Sequence, residues 1–364
     1  MNLNDRLLRG DLELEHIPSE EQDSETTPTE YDISVYPADF TLEILYQKWK
    51  KEELTLPKFQ RSFVWTKNQS SRLIESFMMG LPVPPVFLYT SKDQKNLVVD
   101  GNQRLRSVFY FFDGFFGEVN RAGRRQVFRI SGINEKSKIF NKTYEEFDET
   151  EKSKFRDSVL RAIIIKQLDP NDDTSIYHIF ERLNTGGTPL KDQEVRNCIY
   201  DGKLNELLNR LNDLSQWRQI LGKAKPDSRK KDVELILRYL SLFHNQQNYR
   251  KPMKDFLSGY MAKNRNPNES FLTKEEERFE ETCKIIVDKL GIRPFNPKGS
   301  LNPSIFDSVF VAFAKNYRSC PSDIRQRFDT LIQNEDFKKL TRDATTDPTV
   351  VNSRIDIAST ILFG

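Results

Sequence analysis

Residues 98–112, VVDGNQRLRSVFYFF, place Asp100, Gly101, Asn102, Gln103, Arg104 and Arg106 where an apolar strand gives way to an apolar helix. Leu105, Val108, Phe109 and Phe112 recur at i, i+3, i+4 and i+7, the spacing of one helix face, so the helix begins near Asn102 or Gln103. A glycine at such a junction allows a backbone conformation closed to other residues, and a helix N-terminus presents unpaired N–H groups at the positive end of its dipole. Together these features make a site for an anion. Arg104 and Arg106 lie in the first turn, where positive charge is mildly unfavourable unless something negative is close by. A plainer reading of the same residues has Asp100 capping the helix, the arginines paired with nearby carboxylates, and Asn102 and Gln103 solvated in the turn.

Two further segments carry related chemistry. FQRSFVW, residues 59–65, repeats the Gln-Arg pair as Gln60 and Arg61 directly after an expected strand and among aromatics. Phe63 and Trp65 there read as core or pocket wall, and Arg61 has the alternative of stacking on Trp65. FERLNTGG, residues 180–187, adds Asn184, Thr185, Gly186 and Gly187 at a helix terminus, where they either contact a ligand or end the helix in a left-handed turn.

The elements that must position these residues follow from periodicity. Leu42, Leu45, Tyr46 and Trp49 predict a helix over residues 39–49, and Leu73, Ile74, Phe77 and Met78 predict another over residues 69–79, capped by Gly80. Met78 and Met79 both read as core. LTLPKF reads as an edge strand because Pro57 cannot donate to a ladder. VPPVFLY, NLVVD, RRQVFRISG and LRAIIIKQL are four more expected strands, the last an unbroken apolar run of the kind found when both sheet faces are covered. After the DPNDD loop, Ile176, Ile179, Phe180 and Leu183 mark a helix, and Thr188 and Pro189 look like the start of the next. From there strand signals vanish, while Leu204, Leu207, Leu208, Leu211 and Leu214, then Val233, Ile236, Leu240 and Phe243, then Ile305, Val309 and Phe313 keep helical spacing. The fold class is α+β, a mixed α/β N-terminal domain followed by an all-helical domain. The expected boundaries are a disordered acidic tail over residues 1–30, the mixed domain over residues 31–170 and the helical domain over residues 171–364.

Composition bounds the chemistry. Residues 1–30 hold nine acidic residues against Arg6 and Arg9, so the rest of the chain carries a net charge of +9 within an overall +2. That excess is compatible with a polyanionic partner, and the basic loops over residues 121–129 and 223–231 are candidate DNA surfaces or, equally, solubilising loops. Cys198, Cys283 and Cys320 lie far apart and read as reduced thiols, and with only His16, His178 and His244 beside them zinc is not expected. No apolar run reaches membrane length and no signal peptide is evident, so the expected location is cytoplasmic, away from membranes. A phosphate loop of the GxxxxGK[ST] type is absent.

FQRSFVW, DGNQRL and IFERLNTGGTPLKDQEVRN together resemble the GmrSD-type N-terminal domain family, which is related to the ParB and sulfiredoxin-like fold; RKKDVELILRYLSLF and MKDFLSGYM are similar to its helical second half. One departure is Asn102, where the family carries a second glutamine. The resemblance implies a ParB/sulfiredoxin-like N-terminal domain that binds a nucleotide at the DGxQR turn, with NTP hydrolysis, in a system that restricts modified or foreign DNA. Carried over by position, Asp100, Gln103 and Arg104 would be catalytic, with Asp100 also holding Mg2+. Gln60, Arg61, Gly101, Asn102, Asn184, Thr185, Gly186 and Gly187 would bind the nucleotide, GTP or another NTP. Many relatives append a histidine-dependent nuclease, and this chain has no histidine after His244, so a separate nuclease subunit is the expected partner, with DNA and self-association as further options. The competing functions are a non-enzymatic DNA- or protein-binding module and a metal-dependent nuclease of ParB type.

Overall fold

The computed structural model describes residues 32–56, 63–90, 94–118, 123–168, 175–183, 191–297 and 299–364. The acidic leader, Gln60, Arg61 and Asn184 to Pro189 lie outside these residues. The described residues divide into two compact units, one ending with the helix at Ser175–Leu183 and one beginning at Lys191, a later division than the expected one at residue 170.

The strands of the first unit are β1 (Ile33–Thr41), β2 (Leu54–Thr55), β3 (Val86–Thr90), β4 (Asn96–Asp100), β5 (Phe115–Phe116), β6 (Gln126–Val127) and β7 (Val159–Gln167). Five of them form a mixed sheet in the order β1-β7-β3-β4-β2. β1 runs antiparallel to β7, β7 parallel to β3, β3 antiparallel to β4, and β4 parallel to β2. LTLPKF thus supplies the expected edge strand through Leu54 and Thr55.

β1 was not expected, because Pro37 interrupts it. An edge position tolerates the proline, since one side of that strand needs no ladder donor. The strand takes residues 39–41 away from the expected helix, and Thr41 instead caps the helix α1 (Leu42–Lys50) by accepting from Ile44 N at 3.3 Å. RRQVFRISG yields only the two paired residues of β6. Phe128 and Ile130 leave the ribbon and are fully buried, Phe128 meeting Phe111 edge-on at 5.2 Å, while Ile130 exchanges backbone hydrogen bonds with the loop at Asn141 and Lys142. In β7, Val159 and Arg161 face solvent while Leu160, Ala162, Ile164 and Ile165 are buried, so the expected double coverage begins only past Ala162.

Four more helices complete this unit: α2 (Lys67–Met79), α3 (Asn102–Phe112), α4 (Glu149–Asp157) and α5 (Ser175–Leu183). Thr66 and Gln69 form a capping box at the start of α2, and Gly80, with φ of 70°, ends it in the left-handed conformation. Met78 is core, but Met79 is 63 % exposed, which corrects the reading of that pair. Adjacent residues on a helix point about 100° apart, and only Met78 faces the core. Against α3, Trp49 stacks on Phe109 at 4.8 Å and Tyr46 on Phe112 at 4.7 Å, while the Tyr46 hydroxyl donates to Asp113 at 2.7 Å. These contacts hold the C-terminal half of α3.

The second unit contains α6 (Asp192–Ile199), α7 (Lys203–Asn212), α8 (Ser215–Leu221), α9 (Lys231–Asn245), α10 (Met253–Lys263), α11 (Glu269–Leu290), α12 (Pro303–Asn316), α13 (Ile324–Gln333), α14 (Glu335–Leu340) and α15 (Pro348–Phe363), with no strand among its described residues. Trp217, Phe279, Phe306 and Phe310 centre its core. Charged groups are buried in it as well: Asp307 pairs with Arg238 at 2.6 Å and with Arg354 at 3.1 Å. The loop over residues 222–231 folds around buried Asp232, which binds Arg218, Asn212 and the Asp227 N–H, while Arg229 pairs with Glu194. All three cysteines are free. No helix among the described residues is long and apolar enough to cross a membrane.

Candidate functional site

β4 delivers Asp100 to the end of the sheet through buried Val98 and Val99, and α3 starts immediately after Gly101. Gly101 has φ of 98° and serves as the N-cap; a Cβ there would lie 2.3 Å from Val86 Cγ1. The turn backbone therefore presses against β3 so closely that only glycine fits. No side chain caps α3. Asp100, the cap of the plainer reading, instead accepts from Arg104 Nη2 at 2.7 Å, and Arg104 Nη1 also donates to the Pro84 carbonyl at 3.3 Å. Among the described residues the first turn of α3 keeps its N–H groups without a side-chain cap, the arrangement that receives anions.

The arginines follow the plainer reading. Arg104 has Asp100, and Arg106 has Glu118 Oε1 at 3.2 Å, so the positive charge at the helix start is neutralised within the chain. Asn102 is buried, and its Oδ1 accepts from Arg106 Nε at 3.1 Å. At the position of the departure from the family pattern, the shorter amide therefore braces Arg106.

Gln103 makes the least expected contact. Its Oε1 accepts from the backbone N–H groups of Val64 at 3.0 Å and Trp65 at 3.2 Å, which pins the end of the FQRSFVW segment to the first turn of α3. Phe63 packs edge-on against Tyr110 at 5.0 Å and Phe116 at 5.4 Å, and Trp65 lies against the core, so both take part in packing. Two of the three motifs are thereby joined by a hydrogen-bonded amide. Of the third, residues 180–183 close α5, which packs against β4, and Asn184 onward lies outside the described residues. No signal in sequence spacing announces the Gln103 tether, because the partner backbone is 38 and 39 residues away.

Among the described residues no three His, Cys, Asp or Glu side chains gather as a metal site. A magnesium ion binds through one or two carboxylates together with substrate phosphates and water, so Asp100 fits that mode only in company with a nucleotide. Of the basic candidate surface over residues 121–129, Arg129 is held in a bidentate pair by Glu146, at 2.7 and 2.8 Å, and Arg125 lies 5.9 Å from the Phe115 ring. The Arg129 guanidinium, with the Thr143 N–H, draws the Glu146 carboxyl down to about 2.

Residues 42–200 match the family model of the GmrSD restriction endonuclease, N-terminal domain. This stretch is a GmrSD-type N-terminal domain. The match opens at the first residue of α1, takes in the Gly101 turn and all three motifs, and closes just after α6. Over these residues the chain is similar to the N-terminal domain of a restriction endonuclease family. No curated protein matches the chain.

Proposed function

We propose that the chain is the nucleotide-binding, NTP-hydrolysing module of a DNA restriction or antiphage system, acting with a separate nuclease subunit. The observation that carries this reading is the α3 N-terminus, left without a side-chain cap behind a glycine flush against Val86 and flanked by Arg104. The N–H groups of residues 102–104 would hold a phosphate, and Arg104 would supply positive charge. Its pair with half-exposed Asp100 is worth only about 0.2–1 kcal/mol, so a multiply charged phosphate competes for it. Once released, Asp100 is the carboxylate for magnesium, which when bound would neutralise phosphate charge. Gln103 has its oxygen engaged, so its contribution is the Nε2 donor together with the tether. Val64 and Trp65, held by that tether, follow Arg61 and Gln60 by three to five residues, a chain length over which a second Gln-Arg pair could reach the turn. Asn184 to Gly187 would complete the nucleotide contacts.

The test is a thermal shift with each of the four NTPs and Mg2+. Stabilisation that Arg104→Ala abolishes supports the proposal, and no shift with any of them sinks it. Phosphate release with and without DNA then separates hydrolysis from binding. The mutual neutralisation of Asp100 and Arg104 and the engagement of Asn102 favour a second reading, a DNA- or protein-binding module without hydrolysis. Salt-sensitive DNA binding with no phosphate release would select it.

A further inference from the structure

A cleft of 520 Å³ opens in the second unit, beyond the family match, between the end of α9, the 3-10 turn at Gln246–Asn248 and α10. Its volume lies in the range of small-ligand sites, roughly 300–1,000 Å³. Arg250, Lys251 and Lys263 line it against a single carboxylate, Asp255. His244 enters from α9 with its ring fixed: Nε2 lies 3.3 Å from Glu275 Oε1, and Glu275, 1 % exposed, also binds Arg278. Burial raises the Glu275 carboxyl, but the hydrogen bonds from His244 and Arg278 outweigh it and hold the group below its ordinary range, so it remains an anion. With one ring nitrogen engaged by a carboxylate, Nδ1 is the nitrogen left for a ligand. Tyr260 also lines the cleft; it is 6 % exposed, and its hydroxyl makes no hydrogen bond among the described residues. A buried hydroxyl without a partner is destabilising, and a bound polar group or water relieves it.

We propose that this cleft binds a phosphate monoester, with Arg250, Lys251 and Lys263 neutralising it and His244 contributing Nδ1. Cations outnumber carboxylates along the lining, with Lys251 also facing Asp347 outside it, and this positive excess suits a monoester, about −1.5 to −2 at neutral pH, better than a carboxylate or a backbone phosphodiester. A free nucleoside monophosphate and a 5′-phosphorylated DNA end present the same group.

The experiment titrates the full chain, labelled with 13C at histidine, and follows the His244 resonance, assigned with His244→Gln. AMP is expected to move it while adenosine does not. The exposed double variant Arg250→Ala/Lys263→Ala is expected to weaken the AMP titration by about tenfold or more while keeping the thermal midpoint of the parent. Arg104→Ala should leave the titration unchanged, which separates this cleft from the Gly101 turn. Tighter binding of a short 5′-phosphorylated strand than of AMP, with loss on removing its phosphate, assigns the site to DNA ends; the reverse order assigns it to free nucleotides. A His244 resonance unmoved by both AMP and the phosphorylated strand, or moved equally by adenosine, overturns the proposal.

Discussion

The side-chain oxygen of Gln103 accepts hydrogen bonds from two consecutive backbone N–H groups, those of Val64 and Trp65. One residue of the DGNQR turn thus holds the end of a second motif of the domain. Gln103→Met removes the acceptor while keeping the bulk, and it is expected to cost about 1–2 kcal/mol. Amide exchange at residues 64 and 65 should accelerate in that variant, and the nucleotide-dependent thermal shift should fall with it. Gln103→Glu keeps an acceptor and should retain the protection. Unchanged exchange in the Met variant would show that the tether holds nothing.

Gly101 is constrained twice, by its positive φ and by the 2.3 Å approach of a Cβ to Val86 Cγ1. The backbone penalty is about 1–2 kcal/mol and the overpacking about 1–3 kcal/mol. Gly101→Ala is expected to destabilise the first unit by about 2–5 kcal/mol in chemical denaturation. Val86→Ala in the same chain removes the Cγ1 collision, though Cβ stays at 2.9 Å, and should recover part of the packing loss; no recovery would mean that the clash is relieved some other way.

Glu146 predicts a pH dependence. Its carboxyl is depressed in the folded chain to about 2 from an ordinary value of 4.5, so its contribution is fully present above 4.5 and is lost as pH falls through 2. The difference in denaturation midpoint between the parent and Glu146→Gln should therefore be constant from neutrality down to about pH 4.5 and shrink below that. A difference that grows on acidification would contradict the assignment of the Arg129–Glu146 pair.

Asp307 sits fully buried between Arg238 and Arg354, and burial lowers Arg354 to about 10. Asp307→Asn leaves two buried guanidinium groups without their counter-charge and is expected to cost about 3–5 kcal/mol. Replacing all three residues by apolar ones of similar volume should recover most of that loss. If the single variant unfolds at the denaturant concentration of the parent, the triad contributes nothing to stability.

Local signals carried much of the fold. The Leu105, Val108 and Phe109 face, the Gly80 cap and the strands β3, β4 and β7 were all legible because each rests on periodicity or on one residue's backbone preference. β1 was hidden by Pro37, whose tolerance depends on an edge position that only the assembled sheet defines. Phe128 and Ile130 alternate like a strand, yet they fill space beside Phe111. In the candidate site, residue types and the glycine-to-helix junction were legible, while partners were not. Arg106 meets Glu118 across twelve residues and Gln103 meets a backbone still farther off in sequence, and spacing says nothing about which distant atoms a side chain reaches.

Pro37 also bears on what one copy of the sheet can do to another. β1 is nine residues long and ends the sheet, with Val35 and Tyr36 both largely exposed, a geometry that invites strand-to-strand stacking between molecules. A proline at its centre supplies no N–H to a would-be neighbour, so an intermolecular ladder nucleated at either end of β1 is interrupted before it spans the strand. The residue that disguised the strand in the sequence thus acts as a guard against fibrous self-association.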